Sequence, residues 1–196
     1  MYEPPNISPN KSEQKIEGDG NQQAARDINI YHSYPQQDVK MKDLIEAYKQ
    51  EQRTNSNFSE IIEELDYYLN PVKSEEQNVI GLEKKLKDGQ FDDYIEHAMR
   101  MKDLFWRKVE RYRFSKVAQQ IFLYILADVL TIFKLKIYPL IRNDTEHEII
   151  MSKINDEIIN VLLQKLGENI LDIYADSISG MLFFLTGNCH IKWSKI

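Results

Sequence analysis

The stretch "QFDDYIEHAMRMKDLFWRKVERYR", residues 90 to 113, decides the fold. Tyr94, Ala98, Met101, Phe105 and Tyr112 fall on one helical stripe, with Ile95, Met99, Trp106 and Val109 beside it. Apolar residues three and four apart share a face of an α-helix, whereas a strand alternates them with a period of two. The spacing predicts a helix over 90–113 whose apolar face is wide enough to meet more than one neighbour.

The period continues outward in both directions. Downstream, residues 115–137 are apolar almost all round, as a central helix enclosed by others must be, and Pro139 is expected to kink or end it. Thr145 and Glu148 have capping-box spacing and open a helix whose Ile149, Ile150, Ile154, Ile158, Leu162 and Leu166 keep the period up to Gly167. A last helix is expected over 169–186, ending at Thr186-Gly187-Asn188. The following "CHIKW" is too short for a helix and reads as an extended tail over the bundle end, anchored by Trp193.

Upstream, Met41, Leu44, Ile45 and Tyr48 mark a short amphipathic helix. Asn57 with Glu60 predicts the N-cap of a helix carrying Ile61, Leu65 and Leu69, which Asn70-Pro71 ends. Ser74 with Gln77 predicts another cap, for a helix with Leu82 and Leu86 inside and Asp88-Gly89 as its stop. The expected fold is all-α, a bundle of about six to seven helices with short connections over residues 38–196.

Residues 1–37 form a non-helical, partly β-forming N-terminal arm with several prolines, much Asn and Gln, and no helical period. Within it, "IEGDGNQQAARDINI", residues 16 to 30, reads as strand-forming, with turn chemistry at Gly18 to Asn21. Asp-x-Asn recurs at Asp19/Asn21 and Asp27/Asn29, and Ile28 and Ile30 share one face. A lone strand leaves its backbone donors and acceptors unpaired. Identical arms could therefore pair between chains, which makes Asp19, Asn21, Asp27, Ile28, Asn29 and Ile30 candidate oligomerisation residues; the alternative is an arm that stays flexible until a partner binds.

A net charge of −6 makes the molecule repel nucleic acid and anionic membrane except through a local basic patch. The single Cys189 excludes an internal disulfide, and without a secretory leader pattern the expected location is the cytoplasm. The most apolar runs, Ile121 to Ala127 and Ile178 to Leu185, are far shorter than the roughly 18 residues of a membrane span.

One such basic patch exists. Residues 99–116 reverse the sign of the chain, and Arg100, Trp106, Arg107, Lys108 and Arg111 form a basic-aromatic face suited to a protein partner or, by gripping phosphates and stacking bases, to RNA or DNA. The same spacing also describes an amphipathic helix with its aromatics inside and its cationic heads in water. "RNDTEH", residues 142 to 147, resembles the motif of the HEPN ribonucleases. That resemblance implies that Arg142 and Asn143 belong to a catalytic site in which Arg142 stabilises phosphate charge and His147 acts as acid or base; the alternative is the cap at Thr145.

The histidines are scattered, and Asp93 with His97 lacks the second carboxylate-histidine helix of a di-metal bundle, so no metal is expected. Cys189 and His190 are adjacent on an extended segment and point apart, which argues against a nucleophile-base pair. "EGDGN" has neither the Walker lysine nor a strand-to-helix context, so no nucleotide cofactor is expected.

Two stretches carry family resemblances. "GDGNQQAARDINI" resembles a Gly-Asp/Asn-Gly-Asn…Gly-Arg-Asp-Ile-Asn element near the N-termini of bacterial conflict-system and signalling proteins, with Ala25 in place of the glycine before Arg26. "GMLFFLTGNCHIKW", Gly180 to Trp193, resembles the C-terminal helical modules of bacterial ABC three-component systems, in which an ABC-type ATPase and a small middle component accompany an effector-bearing third protein. Such third components carry an effector domain before the helical module, and a 37-residue arm is too short to be one. The resemblance therefore implies an anti-phage assembly or sensing module without enzymatic activity, with the ATPase as its partner and contacts through the basic helix or the tail at His190 and Trp193.

Overall fold

The computed structural model describes residues 38–54, 58, 60–71 and 81–195. The arm with its Asp-x-Asn repeat, and the expected caps at Asn57, Ser74 and Gln77, lie outside them. Among the described residues the regular structure is entirely helical.

Helices α1 (Val39–Thr54), α2 (Glu63–Leu69) and α3 (Leu82–Asp88) come first. A 3₁₀ turn, Asp92–Tyr94, leads into α4 (Ile95–Arg111). Helix α5 (Lys116–Ile132) runs through a π-helical turn, Phe133–Ile137, into α6 (Tyr138–Arg142). Helix α7 (His147–Ile154) runs through a second π turn, Asn155–Ile159, into α8 (Asn160–Leu166), and α9 (Ala175–Gly187) closes the chain. Counting each α–π–α run once leaves seven continuous helices among the described residues, in agreement with the all-α expectation.

Several boundaries differ from the sequence expectation, each for a physical reason. Helix α4 starts at Ile95 rather than residue 90 because Gln90 takes a left-handed conformation (φ 64°) and the Phe91 N–H closes back on the Leu86 carbonyl at 2.8 Å. Pro139 does not end its helix. The Tyr138 N–H bonds to the Phe133 carbonyl, five residues back, and this wider turn accommodates a ring that would otherwise crowd the preceding turn.

The Thr145–Glu148 box does not form. Asp144 is left-handed (φ 59°), the Thr145 N–H bonds to the Leu140 carbonyl at 3.1 Å to finish α6, and α7 begins at His147 with Glu146 at its N-cap and no side-chain cap. The last helix starts at Ala175 instead of residue 169. Asn169 folds the intervening loop by accepting from the Ile173 N–H at 2.7 Å and donating to the Ile173 carbonyl at 3.0 Å, which buries Leu171 and Ile173.

Helix α5 is the hub. Its buried Ile121, Phe122, Ile125, Leu126 and Val129 meet α1, α2 and α9 on different sides. Its N-terminus is capped twice: Ser115 Oγ accepts from the Ala118 N–H at 3.0 Å, while Glu51 of α1 accepts from the Ser115 hydroxyl and from the Val117 N–H. Gln119 is only 2% exposed and is fully used, accepting from the Ile62 N–H at 2.8 Å and donating to the carbonyls of Glu60 (2.9 Å) and Arg113 (2.8 Å). These bonds set the start of α2 at Glu63.

Helices α4 and α9 pack most closely. A Cβ at Gly180 would lie 2.5 Å from the Met101 carbonyl oxygen and 2.7 Å from Phe105 Cβ, so the crossing requires glycine. Phe105 then reaches Phe184 and Phe122 edge-on at 5.4 and 5.9 Å.

Candidate functional site

Because Ala98, Met101, Phe105 and Val109 turn α4 inward, the opposite side faces solvent. Arg100, Leu104, Arg107 and Arg111, spaced i, i+4, i+7 and i+11, form one exposed row. Leu104 is 42% exposed in the middle of the three guanidinium groups, and Met99 and Trp106 expose further apolar surface on a different side of α4. Arg107 pairs with Asp103 at 2.8 Å, while Trp106 lies stacked on Phe184 with centroids 5.9 Å apart and planes 6° from parallel.

Lys108, which the sequence grouped with this face, is turned away from it. Its ammonium donates to the carbonyls of Leu171 (3.2 Å) and Asp172 (2.6 Å), holding the loop before α9. Burial pushes its pKa below the ordinary lysine value, against the opposing pull of Asp172. The face on α4 is therefore Arg100, Leu104, Arg107 and Arg111, with Trp106 on a different side of the helix. Guanidinium groups around an apolar centre suit carboxylates, which they can bind bidentately, together with an apolar side chain between them.

The tail residues serve the core. Trp193 is 1% exposed, edge-on to Phe91 at 4.7 Å and 5.3 Å from Phe133, so its ring presents no surface to a partner. A Cβ on Gly89 would lie 2.5 Å from the Trp193 carbonyl oxygen, so the tail rests directly on the end of α3. Cys189 is buried and left-handed (φ 67°).

His190 packs against the rings of Tyr67 (5.2 Å) and Tyr68 (5.4 Å), and its buried Nε2 has no hydrogen-bond partner among the described residues. Burial lowers its pKa; the carbonyls of Tyr68 and Asn70 pull the other way, and Lys134 and Lys85 add to the lowering. Beside it, Asn188 Nδ2 donates to the carbonyls of Tyr68 (3.0 Å) and Leu69 (2.9 Å), clamping the end of α2 to the end of α9.

Arg142 and Asn143 are exposed at the end of α6, and His147 opens α7 with its ring 4.2 Å from that of Phe91. Among the described residues no hydrogen bond joins Arg142 to His147, and Asp144 between them pairs with Lys195. No cluster of three or more His, Cys, Asp or Glu side chains among the described residues is placed to hold a metal ion. Asp93 and His97 are both exposed, and the His97 ring lies edge-on to Phe183 at 6.1 Å.

Sequence reasoning missed one polar group. Lys165 of α8 donates to Asp128 at 2.7 Å, pairs with Asp38 at 3.1 Å and lies 4.2 Å over the Tyr124 ring, while the Tyr124 hydroxyl donates to Asp38 at 2.9 Å. Burial opposes the lysine charge, but Asp128, Tyr124 and Asp38 outweigh it and hold the pKa well above the usual lysine range. The only sequence signal was Asp128 interrupting an apolar run. No helix among the described residues is long and apolar enough to cross a membrane.

No curated protein and no solved structure matches the chain. One family model does match, over residues 81–193: C-terminal domain 9 of the ABC-three component (ABC-3C) systems. The matched span runs from the glycine before α3 to the buried tryptophan of the tail and holds both the Gly180 crossing and the exposed row on α4. Since it covers more than half of the 196 residues, the chain belongs to the CTD9 family of ABC three-component systems.

Proposed function

We propose that this protein is a non-enzymatic interaction and assembly module of a bacterial anti-phage conflict system. In this reading it acts in the cytoplasm, self-associates through its N-terminal arm and docks an ATPase-containing complex through α4. The observation that carries the reading is the exposed row Arg100, Leu104, Arg107 and Arg111, which lies opposite the inner face that Gly180 locks against α9. Cationic heads around an apolar centre bring long-range attraction and a short-range desolvated contact to the same surface. Membership of the ABC-3C family supports an ABC-type ATPase as the partner.

The test is capture of the system's ATPase by full-length protein and by Arg100→Glu/Arg107→Glu/Arg111→Glu. Loss of about 10-fold or more in affinity, with unchanged circular dichroism, is expected for truncated or reversed interfacial charges. Undiminished capture by the triple variant overturns the role given to α4. For the arm, light scattering of Ile28→Asp/Ile30→Asp should show a smaller particle than the parent protein.

A further inference from the structure

The chain carries a second exposed ridge whose chemistry is the inverse of the row on α4. Glu63, Glu64 and Tyr67, spaced i, i+1 and i+4, are exposed along α2 while Leu65 turns inward, and Glu60 is exposed in the extended segment just before the helix. Asp66 adds a fourth exposed carboxylate, and no lysine or arginine occurs between residues 60 and 71. The ridge also has exposed apolar surface, with Ile61 at 44% and Tyr67 at 60%.

Among the described residues neither ridge is neutralised by ion pairs. Among the described residues Glu60, Glu63, Glu64 and Asp66 enter no ion pair, and neither do Arg100 and Arg111; Arg107 holds only Asp103. Neighbouring carboxylates repel one another, and so do guanidinium groups one turn apart on α4. The two ridges thus carry charge of opposite sign, and both also expose apolar side chains, Leu104 on α4 and Ile61 and Tyr67 on the acidic ridge. The lengths are also compatible, since Arg100 to Arg111 spans about 16 Å and the two turns of α2 span about 10 Å at 1.5 Å per residue.

We infer that, in the free protein, the basic row on α4 is occupied by the acidic α2 ridge of a second copy of this chain. The inference rests on the reading of α4 as a docking face and names what covers that face before the ATPase complex arrives. The contact is between two different patches, so it closes as a dimer only if both α2–α4 pairs form about a two-fold axis; otherwise it propagates head to tail. Because the charges are exposed, association weakens as salt rises, the Debye length being about 10 Å at 0.1 M. The ATPase complex and the second copy then compete for α4.

Sedimentation velocity of the full chain tests this with three variants: Arg107→Glu/Arg111→Glu, Glu63→Lys/Glu64→Lys, and the four changes together. Each double reversal should weaken self-association about 10-fold or more, and the combined swap should restore it, because opposite signs again meet across the contact. The inference is overturned by a parent protein that stays monomeric, by reversals without effect, or by a swap that behaves as the sum of its parts. Capture of the ATPase by the α4 reversal separates the two readings. Lost capture with unchanged sedimentation leaves the docking role of α4 standing and removes the second copy. Intact capture with swap-dependent sedimentation does the opposite.

Discussion

The indole N–H of Trp193 donates to the Thr186 hydroxyl at 3.0 Å, in a site where neither residue is more than 1% exposed. Thr186 in turn gives its own proton to the Leu182 carbonyl at 3.0 Å, so its oxygen has a lone pair left for the tryptophan. A chain of two hydrogen bonds therefore runs from inside α9 to the tail, within the aromatic cluster of Phe91, Phe133 and Phe183. The tail beyond α9 is part of the core for this reason.

Truncation of the indole should consequently cost what a central core substitution costs. Trp193→Ala is expected to lower unfolding free energy by about 3–5 kcal/mol. Trp193→Phe keeps most of the apolar contact but leaves Thr186 without its donor, for about 1–2 kcal/mol. Urea midpoints give both values, and a Trp193→Ala loss below that of Trp193→Phe contradicts the buried placement.

At the α4–α9 crossing the sensitivity is to added volume. Gly180→Ala places a methyl 2.5 Å from the Met101 carbonyl oxygen, a backbone atom that cannot swing aside, so the two helices must separate. A loss of about 1–3 kcal/mol is expected although alanine is the better helix former. Thermal unfolding of Gly180→Ala at or above the parent temperature would refute the tight crossing.

His190 makes part of the stability depend on pH. Its pKa in the folded chain is depressed, chiefly by burial, so the neutral ring is favoured in the folded protein and the unfolded chain binds a proton more readily. The contribution is therefore complete above the unfolded value of about 6.5 and is lost as pH falls through the lower folded value. His190→Gln, which does not titrate, should show a shallower fall in melting temperature between neutral and mildly acidic pH. Equal slopes for the two proteins would rule out His190 as the source.

The helical architecture was legible because the apolar residues of α4, α7 and α8 recur with the helical period and those of α5 cover it almost all round, and local sequence alone sets both patterns. The boundaries moved for two reasons, a side chain distant in sequence at one and local backbone closures at the others. Gln119 reaches across to Ile62 and Glu60 to set the start of α2, and the Thr145 N–H closes onto Leu140 in place of a cap for α7. Neither competing partner lies within the window that a capping signature can read.

The candidate face was half legible in the same sense. Arg100, Trp106, Arg107, Lys108 and Arg111 are visible as a cluster in the chain, but helical spacing cannot say which long side chain bends back to the protein. Lys108 does so because the Leu171 and Asp172 carbonyls wait beside it, 63 and 64 residues away. Likewise the tail's Trp193 reads as an anchor from its isolation after Gly187-Asn188, while its depth depends on the space that Gly89 leaves open.

The sequence by itself determined that this chain is a helical bundle with one sign-reversed helix, because periodicity and charge are local properties. Only the tertiary structure decided which cations α4 exposes, which acidic ridge α2 exposes, and that the tail lies inside the core, because burial and pairing depend on residues far apart in the chain.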